Sequence, residues 1–255
     1  MLRVVGASSA SWSPHTYVGP VHWWLYEVVG ILHRDLSLNN IMYRIASDGK
    51  IYGVLTDFDL SSRKASLTGE YTRTSQQRTG TPPYMAYGLL TGKDSLHLYR
   101  HDVESLFYVI LILATHYEIE APTDKKNGRL RVRSGVEVLP YEDWFNQQSY
   151  KTIGFSKHHL LFEPEEFNLS PSFEPFRGWI EDLHKTFRRG TRAMKIHDPE
   201  LGPVAGQNDA GGLDIPQFDA KTLGGHVCCS TLVDSARRLQ GELKGLIIRY
   251  EGPAS

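Results

Sequence analysis

Nine consecutive apolar residues, Leu106 to Ala114, lie inside a helical pattern running from Asp102 to Thr115. That pattern is apolar nearly all round, with Val103, Leu106, Phe107, Ile110, Leu111, Leu113 and Ala114 distributed over every face. The run is about half the length needed to span a membrane, so protein has to enclose it on all sides. It predicts a globule built around one central buried helix. At 255 residues with 40% hydrophobic content, the chain has enough material for one sizeable core.

The material to enclose that helix is legible on both sides of it. Tyr141 to Phe155 and Pro175 to Arg189 read as amphipathic helices anchored by Trp144, Phe145, Trp179, Leu183 and Phe187. A last helix is expected over Thr231 to Arg249. Trp23, Trp24 and Tyr26 read as the end of a buried helix stopped at Gly30. Ile41 to Ile45 and Ile51 to Leu55 are short β-rich runs around Asp48-Gly49, which signals a hairpin. Residues 61–84 read as a long exposed loop rich in Ser, Thr, Gly and Arg, and loops of that length are usually functional. Residues 1–20 read as a disordered leader, and 121–136 and 196–226 as flexible insertions. The fold class expected is mainly α with a small β-hairpin, that is α+β.

Charge and cysteine content exclude several classes. With 28 basic against 29 acidic residues, there is no broad electrostatic footprint for nucleic acid or an anionic membrane. Cys228 and Cys229 are adjacent, so they neither staple distant segments nor give C-x-x-C metal spacing. The first ten residues hold too short an apolar run for a secretory signal. A soluble intracellular protein, cytoplasmic or nuclear, is expected.

The chemistry is concentrated in two motifs. Phosphoryl transfer needs a carboxylate to orient the attacking hydroxyl and accept its proton, plus oxygen ligands for magnesium. His33-Arg34-Asp35-Leu36-Ser37-Leu38-Asn39-Asn40 places an Asp and, five residues later, an Asn on one loop. The hairpin then returns the chain to deliver Asp57 in Asp57-Phe58-Asp59. The polar loop and Gly80-Thr81-Pro82-Pro83-Tyr84-Met85-Ala86 follow, and then the buried helix that Asp102 opens.

In these stretches, and in Tyr99-Arg100-His101-Asp102-Val103-Glu104-Ser105, the chain resembles the fungal-type protein kinases of the protein-kinase superfamily. The likeness is strong over residues 21 to about 115 and loose beyond, and it implies a kinase large lobe across 21–250. It further implies ATP and Mg²⁺ as cofactors and a protein substrate. Asp35 would be the catalytic base, with Asn40 and Asp57 as magnesium ligands. Thr81 would hydrogen-bond near Asp35, and Asp102 would brace the loop that carries His33. Arg34 would pair with a phosphate on the polar loop, where Thr72, Thr74, Ser75 and Thr79 are the candidates.

Three positions depart from the family pattern. Ser37 stands where serine/threonine kinases usually carry Lys, Asp59 replaces the Gly of D-F-G, and Gly88 falls where Glu is expected. The last predicts a missing ion pair, and Asp59 predicts a restricted loop. A small lobe needs roughly 60 or more residues, whereas 32 precede His33, with no Gly-rich phosphate loop or strand lysine among them. The expectation is a truncated or N-terminally incomplete serine/threonine kinase. Two alternatives stand beside it: a non-catalytic kinase-like binding module, and a small-molecule kinase sharing the H-x-D-x-x-x-x-N loop.

Overall fold

A computed structural model describes residues 22, 24–45, 47, 51–63, 80–120, 129–146, 149–163, 165–196 and 218–227. The expected leader, the polar loop from 64 to 79 with its four phosphosite candidates, and the last helix lie outside the described residues.

The central helix is α2, Tyr99–His116, with α1, Tyr87–Thr91, before it. Sixteen of the eighteen α2 residues are buried, as its all-round apolar pattern requires. Phe107 and Tyr108 are fully buried. Phe107 stacks on Phe187 at 5.1 Å between ring centroids, and Tyr108 meets Trp144 edge-on at 5.3 Å. Each such ring contributes about 1.5 to 3 kcal/mol through burial alone. Trp144 comes from α3, Asp143–Asn146, and Phe187 from α5, Arg177–Ile196, with α4, Tyr150–Phe162, between them in the chain. The single helix expected over 141–155 is therefore two, the second running seven residues further. Phe145 is exposed, whereas Trp144, Leu183 and Phe187 are core.

Three two-stranded antiparallel sheets accompany the helices, giving an α+β molecule with more sheet than the one hairpin expected. Strands β2, Ile41–Ile45, and β3, Ile51–Leu55, form that hairpin, with Ile41 opposite Leu55 and Ile45 opposite Ile51. Strand β1, Ile31–Leu32, pairs with β4, Ser62–Arg63. Strands β5, Tyr117–Glu120, and β6, Arg129–Val132, form the third pair.

Of the two expected insertions, residues 121–128 and 197–217 lie outside the described residues, and the described parts are ordered into the fold. Residues 129–132 are strand β6, because the alternation of Arg and apolar residues there suits a paired edge. Residues 218–227 pack rather than float. Leu223 and Val227 are buried in the core, and the Arg100 amide donates to the Lys221 carbonyl at 3.1 Å. Leu25–Val29 is a π-helical turn ending at Gly30, and of its residues only Tyr26 is buried. Trp24, Val28 and Val29 are exposed, so this is a surface turn and not the end of a buried helix. No helix among the described residues is long and apolar enough to cross a membrane.

Candidate active site

Asp102, at the start of α2, is fully buried, and five contacts converge on its carboxylate. Oδ2 accepts from the His33 amide at 2.9 Å and from His22 Nε2 at 3.0 Å. Oδ1 accepts from the Arg34 amide at 3.1 Å and from His97 Nε2 at 2.7 Å, and the Arg34 amide also reaches Oδ2 at 3.3 Å. Burial would raise this carboxyl, but His97 and His22 outweigh it and hold Asp102 well below the usual carboxylate range. An ionised carboxylate has no proton to give, so both imidazoles donate. The two backbone amides belong to the loop carrying Asp35, and Arg34 sits at φ 69, a left-handed conformation that needs such tethering.

Asp35 follows directly. Its Oδ1 accepts from both the Thr81 amide and the Thr81 hydroxyl, each at 2.8 Å. Its Oδ2 accepts from Asn40 Nδ2 at 3.1 Å, and the same Nδ2 donates to the Asp35 carbonyl at 2.9 Å. A carboxylate has about four acceptor positions, and three are taken here. Among the described residues nothing fills the fourth, on Oδ2 of a half-buried side chain. Gly80 makes this approach sterically feasible. With φ 124 it adopts a conformation L side chains avoid, and a Cβ there would lie 3.1 Å from the Arg34 carbonyl oxygen.

Asp57 arrives at the end of β3, exposed and at φ 61. Thr56, just before it, is held from two sides. Its amide donates to the Asn40 carbonyl at 3.0 Å, and its own carbonyl accepts from His33 Nε2 at 3.0 Å. The His33 ring packs against Phe58 with 4.8 Å between centroids. His33, Asn40 and Asp57 are thus tied into one corner. The loop's left-handed residue is Asp57, a type that tolerates αL, and not Asp59, so the expected restriction at Asp59 does not arise. Ser37 is buried, and its carbonyl accepts from the Asn40 amide at 3.1 Å. Arg34 is buried with its side chain beside Asp102; burial lowers its guanidinium, and Asp102 partly restores it.

With Nδ2 of Asn40 committed to Asp35, the oxygen Oδ1 is the atom left to it for a ligand. Asn40 Oδ1 and the Asp57 carboxylate are hard oxygen donors of the kind magnesium prefers, with water and phosphate oxygens completing its shell. Among the described residues, no group of three or more His, Cys, Asp or Glu side chains is arranged to hold a metal.

Four functional candidates were missed from sequence: His22, His97, Asp94 and Lys157. Asp94 resolves the Gly88 departure. A Cβ built on Gly88 would fall 1.9 Å from Asp94 Oδ2, so the Asp94 carboxylate occupies the space a side chain at 88 would enter. It pairs there with Arg100 Nη2 at 2.8 Å and His101 Nε2 at 2.9 Å. Burial would raise Asp94, but His101 and Arg100 outweigh it and hold it at about 2. The space at Gly88 is therefore filled by a carboxylate with ion-pair partners of its own, Arg100 and His101.

His101 predicts a pH dependence. Its Nδ1 accepts from the Leu98 amide at 2.9 Å while Nε2 donates to Asp94, so the folded ring is neutral. Burial lowers it to about 4 from 6.5. Between these values the unfolded chain takes up the proton and the folded chain does not, so stability falls as pH drops from 6.5 to 4. The full window is worth on the order of 3 kcal/mol. Urea midpoints at pH 6.5, 5.5 and 4.5 should fall less steeply for His101→Gln than for the natural chain. Equal slopes would exclude His101 as the source.

Comparison with known proteins gives a consistent picture. The family model described as fungal protein kinase matches residues 20–114. The chain is 26% identical over 204 residues to the serine/threonine-protein kinase CHK1 of Saccharomyces cerevisiae, covering 80% of this chain and 34% of that protein. It is 31% identical over 117 residues to the mitogen-activated protein kinase kinase SIPKK of Nicotiana tabacum, covering 46% and 30%. The chain spans about a third of the length of these curated relatives.

Proposed function

We propose that this chain, a member of the fungal protein kinase family over residues 20–114, transfers the γ-phosphate of ATP to a serine or threonine hydroxyl of a protein substrate. The observation that carries the reading is the Asp35 carboxylate, fixed by Thr81 and Asn40 with one acceptor position left open among the described residues. An incoming hydroxyl that donates into that position is oriented for attack, and its proton has a place to go. Asp102 holds the loop's backbone through the His33 and Arg34 amides, so the base keeps its direction.

Asn40 and Asp57 would hold magnesium, which when bound neutralises charge on the triphosphate and clamps its oxygens. The remaining steps belong to the chain's own groups. Thr81 keeps Asp35 Oδ1 occupied, so that Oδ2 faces the hydroxyl. Arg34 and the candidates Thr72, Thr74, Ser75 and Thr79 are proposed as a phosphate-dependent latch on the polar loop.

The test is transfer of labelled γ-phosphate from magnesium ATP by the purified chain, offered protein acceptors and small alcohols in parallel. Label on protein Ser or Thr is expected. Label on small alcohols alone would convert the reading to a small-molecule kinase, and no transfer to either would favour a binding module.

A further inference from the structure

Lys157 is fully buried on α4, an unusual place for an ammonium. Its Nζ donates to three main-chain carbonyls: Pro82 at 3.2 Å, Pro83 at 2.9 Å and Met85 at 2.6 Å. An ammonium has three donors, and all three are used. The same atom lies 4.1 Å from the Tyr108 ring centroid and 4.8 Å from that of Trp144, two faces that favour a cation. Glu104, also buried, accepts from the Tyr108 hydroxyl at 2.6 Å and the Tyr87 amide at 2.7 Å. Burial lowers the Lys157 ammonium, and Glu104 partly offsets that.

The three carbonyls belong to the segment that begins with Gly80 and Thr81. Pro82 and Pro83 have no N–H, so their carbonyls are the only polar handles by which their backbone can be held from inside. The Tyr84 amide donates to the Thr81 carbonyl at 2.9 Å, and the Met85 amide does so at 3.1 Å, which makes the segment one turn. Thr81 is the residue that fixes Asp35. Gly154, one helical turn before Lys157, lets α4 approach closely, since a Cβ there would lie 2.7 Å from the Thr91 methyl.

We propose that Lys157 is a positioning residue: its three bonds to Pro82, Pro83 and Met85 set the turn that aims Thr81 at Asp35. The meaning of that aim for catalysis rests on the phosphotransferase reading; the placement itself does not.

Amide hydrogen exchange of the full chain separates the two. The Thr81 amide donates to Asp35, so its protection reports the contact directly. In Lys157→Met, the Thr81, Tyr84 and Met85 amides should lose about tenfold or more in protection, as expected when a hydrogen-bonded anchor is removed. Those of α2 from Leu106 to Ile112 should stay within about twofold. Lys157→Gln, which keeps two donors, should fall between, and it decides the matter if the Met variant does not fold. Unchanged Thr81 protection, or protection lost in step with α2, would overturn the proposal. In turnover assays the Met variant should lose kcat with KM for ATP unchanged. A chain without turnover would fail the phosphotransferase reading while the exchange result still decides the role of Lys157.

Discussion

Asp35→Asn is expected to slow magnesium-dependent ATP turnover by about 10²- to 10⁴-fold, the range for loss of a positioned base. The substitution is nearly isosteric, so the change is chemical. Asp35 presents two oxygens: one to Thr81 and one shared between Asn40 and the open position. An amide can satisfy only one of these sides. With its oxygen towards Thr81, its NH₂ faces Asn40 Nδ2, donor against donor, and the lone pair for the incoming hydroxyl is gone. Flipped, it sets that NH₂ against the two Thr81 donors. Steady-state turnover checked against an unchanged circular dichroism spectrum reads this out, and an unaltered rate would remove Asp35 from the role of base.

Asp102→Asn should cost about 3 to 5 kcal/mol of stability, the range for removing one partner from a buried, hydrogen-bonded charge. Both Asp102 oxygens are in use: His22 and His33 meet Oδ2, His97 meets Oδ1, and the Arg34 amide reaches both. Every one of these partners is a donor. An Asn therefore turns an NH₂ towards a donor in either orientation, and it also removes the negative charge beside the buried Arg34. Equilibrium urea unfolding at pH 7 measures the loss. A change below about 1 kcal/mol, the net value of a single ordinary hydrogen bond, would mean that the convergence of contacts contributes little.

Much of this site was readable from sequence because it rests on fixed spacing along the chain. Asp35 and Asn40 lie five residues apart on one loop, and the hairpin returns the chain so that Thr56, next to Asp57, donates to the Asn40 carbonyl. The α2 helix was legible because its pattern leaves no polar face. The supporting partners are a different matter, since their connection is through space. His22 lies eighty residues from Asp102, and Lys157 more than seventy from the carbonyls it holds. One local signal for Lys157 does exist: Ile153, Lys157, Leu160 and Leu161 share a helical stripe, which puts the lysine in the middle of a buried face. A helix boundary set at Phe155 hid it. Asp94 left no such trace, because the space it fills is defined by the absence of a side chain at Gly88. Strand β6 was missed for a physical reason too: a four-residue edge strand carrying Arg129 and Arg131 has the composition of a solvated loop.

The most direct measurement is magnesium-dependent ATP turnover by four proteins: the natural chain, Asp35→Asn, Asp102→Asn and the double variant, each at a temperature where it is folded. If Asp102 acts by holding the loop that aims Asp35, the double variant should be no slower than Asp35→Asn, because a misdirected base that is already absent costs nothing more. Turnover in Asp35→Asn equal to that of the natural chain, or losses that multiply in the double variant, would contradict a single catalytic unit built on Asp35 and braced by Asp102.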